Sequence, residues 1–590
     1  TAGGVSTTGN TSTTITLHDY VLKCNTTAFS EGTTSEQNTI KGRSAWTQVG
    51  NSDSVHPYEL FNLHKAHSFK SGSTTLTGAG ETILVVDEGC DKDHDSFANK
   101  TITMIDAESV FNSDTVSTKN NGFNHCVHVA SIAAGDINGT TSGVAPDADL
   151  AFSSFYSSGA GFSNLATDLD NARTQVAPIA ANNSWGFTHT VGGSTTSLNY
   201  TEFLAIANSN GRTFSEQVSA HLGSTHASNY LTALDNFQNN GVIVFSSGNF
   251  EPESDVGMMG GLPNFYNGTD HAIDLSEAWI SVMYAEFDGT SLDSNTTTSD
   301  FDRKGNPCGT AKEWCLVVDD FNIKAASHVT AGGSSEYTSA GGSSMGAPMV
   351  SGMIALLGQA FPSHNPEQLT DRLLASANNA WFTPNGVTTF TTHGASIKHG
   401  YNNEWGHGVP DMNAALSPIT SNSNPGSFGF ATPSGSGGSG GSGGSVPFSQ
   451  VQKLAVSQTA MTISSSLGDG IMNGLKGKTA YAYDALNGGF KLNVTDFVSV
   501  DSLNAQQVQY TIDDELNNLR NFKFSGKKTA KDFEIYAGEY LSFKDEYNQG
   551  LSVTLDQPNI ALQNFNLYNT QQYKNPFTTE NKGVGFNNKF

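Results

Sequence analysis

Three short stretches of this chain hold side chains able to do covalent chemistry. The most informative is Gly342-Ser343-Ser344-Met345-Gly346-Ala347-Pro348-Met349-Val350-Ser351-Gly352. A serine follows small residues there, and an apolar, helix-like segment continues over residues 349–361. That spacing predicts a hydroxyl at a helix N-terminus, where unpaired N–H groups and the helix dipole favour developing negative charge. A nucleophilic hydroxyl needs such a setting, because the oxyanion of an acyl-transfer intermediate must be stabilised beside it. The same pattern suits a plain serine cap on a buried helix, so this stretch alone leaves both uses open.

The other stretches narrow the choice. Residues 81–89 read ETILVVDEG, and the apolar run 83–86 predicts a buried strand with Asp87 at its C-terminal end. Open α/β sheets gather their chemistry at that end, although an isolated aspartate there serves equally as a turn residue. His125-Cys126-Val127-His128-Val129-Ala130 leads into Ser131-Ile132-Ala133-Ala134-Gly135, a small-residue helical pattern. One histidine of the pair is expected to face a cleft and the other to pack inside. Residues 241–249, GVIVFSSGN, read as another buried strand, running into Gly248-Asn249.

Along the chain these residues come in the order Asp, His, Ser, one of three triad orders found on unrelated folds. With VVDEG, HCVHVA, GSSMGAPMVSG and the Gly-Asn strand end, the sequence resembles the subtilases. The resemblance implies Asp87 as the orienting acid, His125 as the general base, Ser344 as the nucleophile and Asn249 as the oxyanion donor. It also implies that Ser184, Trp185 and Gly186, in Asn182-Asn183-Ser184-Trp185-Gly186, contact substrate. The implied activity is hydrolysis of peptide bonds through an acyl-enzyme, with protein or peptide substrates and no required cofactor. Members of the family often bind structural calcium, but no segment here shows a ligand loop, so no metal ligands are assigned. Four departures from the family pattern stand out: Cys126, Ser131, Met349 and Ser343. Of these, Cys126 sits beside the base, where a bulkier side chain can shift the ring.

Composition sets outer bounds. The 590 residues carry Lys+Arg 29 against Asp+Glu 55, a formal net charge of −26, which argues against nucleic acid or an anionic membrane as partner. Charged residues make up only 14%, and Thr, Ser, Asn and Gly are abundant, as in many secreted or surface proteins. No apolar run approaches the ~18 residues of a membrane helix. The chain begins at Thr1 with neither methionine nor a signal sequence, as expected of a mature form. Five cysteines leave at least one without an intramolecular partner. Cys308 and Cys315, in NPCGTAKEWC, either close a small loop or stay unlinked. The segment resembles one in subtilases of bacterial autotransporters, which implies a disulfide and an oxidising compartment. Cys90 and Cys126 lie near Asp87 and His125 in sequence, and their pairing, like that of Cys24, stays open.

The expected fold is α/β: a subtilisin-like parallel sheet flanked by helices, with an N-terminal extension and a small, β-rich C-terminal domain. The boundaries expected are residues 1–56 for the extension, 57–417 for the catalytic domain, 418–445 for a Gly/Ser-rich linker and 446–590 for the C-terminal domain. Residues 434–445 read SGSGGSGGSGGS, a flexible tether rather than core. Residues 467–472 and 480–490 resemble the segment joining passenger to barrel in autotransporter proteases. That resemblance implies an extracellular or bacterial cell-surface location, with outer-membrane attachment through the C-terminal region.

The leading functional expectation is a secreted or cell-surface serine endopeptidase. Its alternative is a catalytically silent scaffold acting as a surface adhesin or filament subunit. An esterase or peptide ligase using the same triad is a third, weaker reading. Glu251, Glu253 and Asp255 follow Asn249 in a segment that subtilases commonly place near the primary pocket. There they serve either as partners for an Arg or Lys of the substrate or as a solvated acidic loop.

Overall fold

The apolar run 83–86 becomes strand β1 (Thr82–Asp87), in which every residue after Thr82 is buried. The computed structural model describes residues 26–27, 29–50, 55–105, 124–155, 162–269, 272–293, 295–330, 333–392, 395–417 and 419. Beyond these it describes 461–464, 473–477, 479–483, 486, 488–493, 498–501, 533–536, 540–544, 550–554 and 584–587. Cys24, residues 20–22, the tether 434–445 and the segment 467–472 lie outside the described residues.

Among the described residues one sheet has eight strands. After β1 come β2 (Ile102–Met104), β3 (Asp149–Ser154), β4 (Ala180–Asn183), β5 (Val242–Ser246), β6 (Trp279–Phe287), β7 (Phe301–Arg303) and β8 (Cys315–Asp319). Their order across the sheet is β7-β6-β5-β4-β1-β3-β2, with β8 also paired to β6. All pairings are parallel except β6 with β7. Burial on both faces explains why ILVV and VIVF read as continuous apolar runs instead of alternating ones.

Helix α1 (His125–Ala134) and helix α4 (Ser343–Ala360) pack on each other, and α4 lies across β1, β4, β5 and β6. Every residue of α4 except Gln359 is buried, as its small and apolar composition requires. Helices α2 (Phe162–Gln175) and α3 (Ser224–Phe237) pack together as another pair. Helix α5 (Pro366–Ala375) starts from an Asn365 cap with Pro366 in its first turn, the position where a missing N–H costs nothing.

The chain forms two compact units, one of Thr1–Ala455 with Tyr481–Lys491 and one of Val456–Ala480 with Leu492–Phe590. In the first, residues 29–50 hold to the rest through Ala45 O, which accepts from Ser142 N–H, and Val49 O, which accepts from Lys324 N–H. Thr26–Thr27 pairs in parallel with Gly489 and Phe490. Phe490 lies 5.8 Å from Phe361, whose ring also packs against His364 at 4.9 Å and the Arg372 guanidinium at 4.4 Å. Arg372 is fully buried and donates to the carbonyls of Ala415 and Ser417, tying α5 to the chain that follows it. In the second unit Phe533–Tyr536, Tyr540–Lys544, Gly550–Thr554 and Val584–Asn587 form an antiparallel sheet. Among the described residues no helix is long and apolar enough to cross a membrane.

Candidate active site

Asp87 ends β1, and its carboxylate meets the first residue of α1. His125 Nδ1 stands 2.9 Å from both Asp87 oxygens. An ionised carboxylate only accepts, so the Nδ1 proton is fixed there and Nε2 keeps its lone pair. The Asp87 side chain is 2% exposed and that of His125 25%, so the acid is sealed in and the base faces outward. Burial pulls the imidazole's proton affinity down. The charge and hydrogen bond of Asp87, with the charge of Glu88, outweigh it and hold the pKa above the ordinary 6.5. His128, the other histidine of the motif, is fully buried with Nδ1 2.9 Å from Ala326 O, so it is the packed member of the pair. Ser131, in place of a glycine, is satisfied: its hydroxyl donates to His128 O and accepts from Ala326 N–H.

Ser344 occupies the first turn of α4 and is 8% exposed. Pro348, four residues on, has no N–H to give the Ser344 carbonyl. Ser184 Oγ supplies the missing donor at 2.9 Å, and the Ser344 hydroxyl in turn donates to Ser184 O at 3.1 Å. Ser184 follows β4 directly, as Asp87 ends β1, and the two strands are paired with Val86 opposite Asn183. The acid and the serine's partner therefore emerge from neighbouring strand ends, at the carboxyl edge where parallel sheets carry their sites.

Asn249 lies beyond β5 and is exposed. Its Oδ1 accepts from Ser343 N–H at 2.8 Å and from Ser343 Oγ at 2.7 Å. With the oxygen so committed, Nδ2 is left as the free donor of the amide. Between them Gly342, at φ 142°, makes the turn into α4, and a Cβ there would sit 3.1 Å from Asn249 Nδ2. Only glycine suits that backbone and leaves the amide room. In sequence Ser343 was legible only as a departure from the family pattern; its contact with Asn249 spans 94 positions.

Trp185 is half-buried in an aromatic cluster with Phe155, Phe162, Phe187 and Phe245, and Gly186 is exposed. At Asp255 the acidic stretch after Asn249 is neither a partner for a substrate cation nor a solvated loop. Asp255 is buried, and its carboxylate accepts from Thr201 Oγ1, Thr310 N–H, Thr310 Oγ1 and Val256 N–H. It is a structural knot, unavailable to a substrate cation. Glu253 accepts from Asn199, and Glu251 is exposed. The cavity of about 500 Å³ beside them is lined by both signs of charge, with Glu253, Arg303, Lys312 and Glu404. Among the described residues, Glu286, Asp288 and Asp302 come close enough to share a cation, but Lys304 already bonds Glu286 at 2.8 Å and Asp302 at 2.5 Å.

Cys308 and Cys315 form the expected disulfide, with Cα atoms 5.7 Å apart. A second joins Cys90 to Cys126. Sequence order had brought these two near the candidate diad without pairing them.

A family model described as "Subtilase family" matches residues 78–408, more than half of the chain. No curated protein matches it. Among solved structures, fervidolysin from Fervidobacterium pennivorans, a keratinolytic enzyme related to subtilisin, is similar at 18% identity and a TM-score of 0.38, covering 61% of this chain and 45% of that one. The prenylagaramide maturation protease PagA is similar at 17% identity and a TM-score of 0.34, covering 53% and 87%. Sphericase is similar at 18% identity and a TM-score of 0.37, covering 59% and 96%.

Proposed function

The chain belongs to the subtilase family, and on that premise we propose that it is a serine endopeptidase whose triad is Asp87, His125 and Ser344. The observation that carries the reading is the His125 Nδ1 bond to both Asp87 oxygens at 2.9 Å, which leaves Nε2 as a base oriented away from the acid. In the cycle Ser344 gives up its bond to Ser184 O, and its proton passes to His125 Nε2 as Oγ attacks the scissile carbonyl. The oxyanion takes the Ser344 N–H and Asn249 Nδ2, each donor contributing about 3–4 kcal/mol in the transition state. The imidazolium then protonates the leaving amine, and water repeats the sequence on the acyl-enzyme. Ser184, Trp185 and Gly186 hold the substrate backbone alongside β4, within a catalytic domain of residues 57–417.

Two disulfides suit an oxidising compartment, so the reading extends to a secreted or cell-surface enzyme. Kinship with autotransporter subtilases rests on the sequence around Cys308 and Cys315 and on the C-terminal segments, and attachment to an outer membrane on the latter. Hydrolysis of an unfolded protein such as casein tests the activity. Wild type should cleave it, and Ser344→Ala and His125→Ala should each retain about 10⁻³ of that rate or less. Either variant working within tenfold of wild type would remove that residue from the mechanism.

A further inference from the structure

Cys90 and Cys126 flank the Asp87–His125 pair. Cys90 lies just beyond Asp87, across the turn at Gly89 (φ 124°), and Cys126 directly follows His125. Their disulfide spans 36 positions with Cα atoms 5.0 Å apart, and both residues are buried. We propose that this disulfide is a positioning element for catalysis: it ties the end of β1 to the first turn of α1 and so holds Asp87 against His125. The inference rests on the peptidase reading above.

Helix α1 packs on β1 and α4, and several of its hydrogen bonds run to a third element. Asn124 N–H donates to Ser327 O, His128 Nδ1 stands 2.9 Å from Ala326 O, and Ser131 Oγ accepts from Ala326 N–H. These bonds tie α1 to the strand Ile323–Val329. Among the described residues, the polar ties from His125 toward the end of β1 include its bond to Asp87 and a long bond, 3.4 Å, from His125 N–H to Glu88. The covalent tie stands next to these, within three residues of each diad member. A catalytic base displaced by about 1 Å loses on the order of 10² in rate, so a rigid link at this point has leverage that a remote staple lacks. The family's small residue after the base is replaced here by the half of a bond that immobilises it. Among the described residues, the charged and titratable groups that act on His125 include Asp87, Glu88 and His128.

The test is the Cys90→Ala/Cys126→Ala double variant on a Cys24→Ser background, so that no third thiol enters exchange. The parent and a Cys308→Ala/Cys315→Ala variant on the same background are the comparisons. The double variant should lose about tenfold or more in kcat with KM within about twofold. The acid limb of its kcat/KM profile should move to lower pH, because His125 loses part of the Asp87 field. The variant lacking Cys308 and Cys315 should shift neither. A double variant with the parent's kcat and acid limb, and only a lower Tm, overturns the proposal: the bond is then a fold staple. Should the double variant not fold, the folded parent is treated with dithiothreitol. The dithiol delivers two electrons and two protons, closes its own ring disulfide and leaves two cysteine thiols. Loss of kcat that returns on reoxidation supports the proposal. Unchanged kcat, with the Cys90–Cys126 bond shown open by mass spectrometry, overturns it. A parent that never takes a fluorophosphonate label overturns the peptidase reading and this inference with it. Equal labelling rates for parent and double variant overturn this inference alone.

Discussion

Ser184 and Ser344 are joined by two reciprocal hydrogen bonds, from Ser184 Oγ to Ser344 O at 2.9 Å and from Ser344 Oγ to Ser184 O at 3.1 Å. The first replaces the backbone bond that Pro348 cannot make, and the second holds the Ser344 hydroxyl proton on the residue that follows β4. A helix that lacks one backbone bond at the proline in its second turn thereby has the freed Ser344 carbonyl satisfied by a side chain.

Ser184→Ala should therefore act on both stability and rate. The buried Ser344 carbonyl would lose its donor, at a cost of about 1–3 kcal/mol. Urea unfolding should show a lower midpoint with an unchanged m-value, and kcat should fall with it. An unaltered midpoint would mean that another donor reaches that carbonyl.

Asn249→Ala should lower kcat by roughly 10²–10³ with little change in KM, since its bond to the oxyanion strengthens only in the transition state. Ser343→Ala should produce a smaller loss, because Asn249 Oδ1 keeps the backbone bond at 2.8 Å while losing the hydroxyl at 2.7 Å. Steady-state kinetics decide it: an effect confined to KM would make Asn249 a ground-state binding residue.

The pH profile follows from the diad. His125 works as a base only when neutral, and its pKa is raised above 6.5. Accordingly kcat/KM should fall on the acid side with a midpoint above 6.5. Asp87→Asn should move that midpoint down and lower kcat by about 10⁴, because the carboxylate that fixes the tautomer is gone. A midpoint insensitive to Asp87→Asn would separate the limb from His125.

Acid stability has a second source in the same helix. Burial pushes His128 down to about 4, whereas the unfolded chain titrates it near 6.5. Between those values the unfolded state binds more protons, so stability is intact above pH 6.5 and declines as pH falls toward 4. The full loss is roughly 3 kcal/mol. His128→Gln should flatten Tm against pH over this window, and an unchanged slope would assign the acid loss to other groups.

The sheet and the places of the proposed triad residues in it were readable in sequence for the same reason: buried parallel strands leave unbroken apolar runs, and sites gather at their ends. Asp87, His125, Ser344 and Asn249 each close such a run or open the helix beside it. What stayed hidden depends on contacts between distant segments. The pairing of Cys90 with Cys126, the grip of Ser343 on Asn249 and the relay from Pro348 to Ser184 leave no periodicity to read. Asp255 shows the opposite failure. Its place in an acidic stretch suggested a solvent or substrate partner, and only the fold brings Thr201 and Thr310 around its carboxylate.

In the proposed mechanism everything turns on Ser344 being a nucleophile activated by His125. Reaction of the folded protein with a biotinylated fluorophosphonate, followed by peptide mapping, tests it most directly. One adduct on Ser344 Oγ is expected, absent in Ser344→Ala and strongly slowed in His125→Ala. Folded wild-type protein that takes no label, or takes it on another residue with Ser344 unmodified, would contradict it.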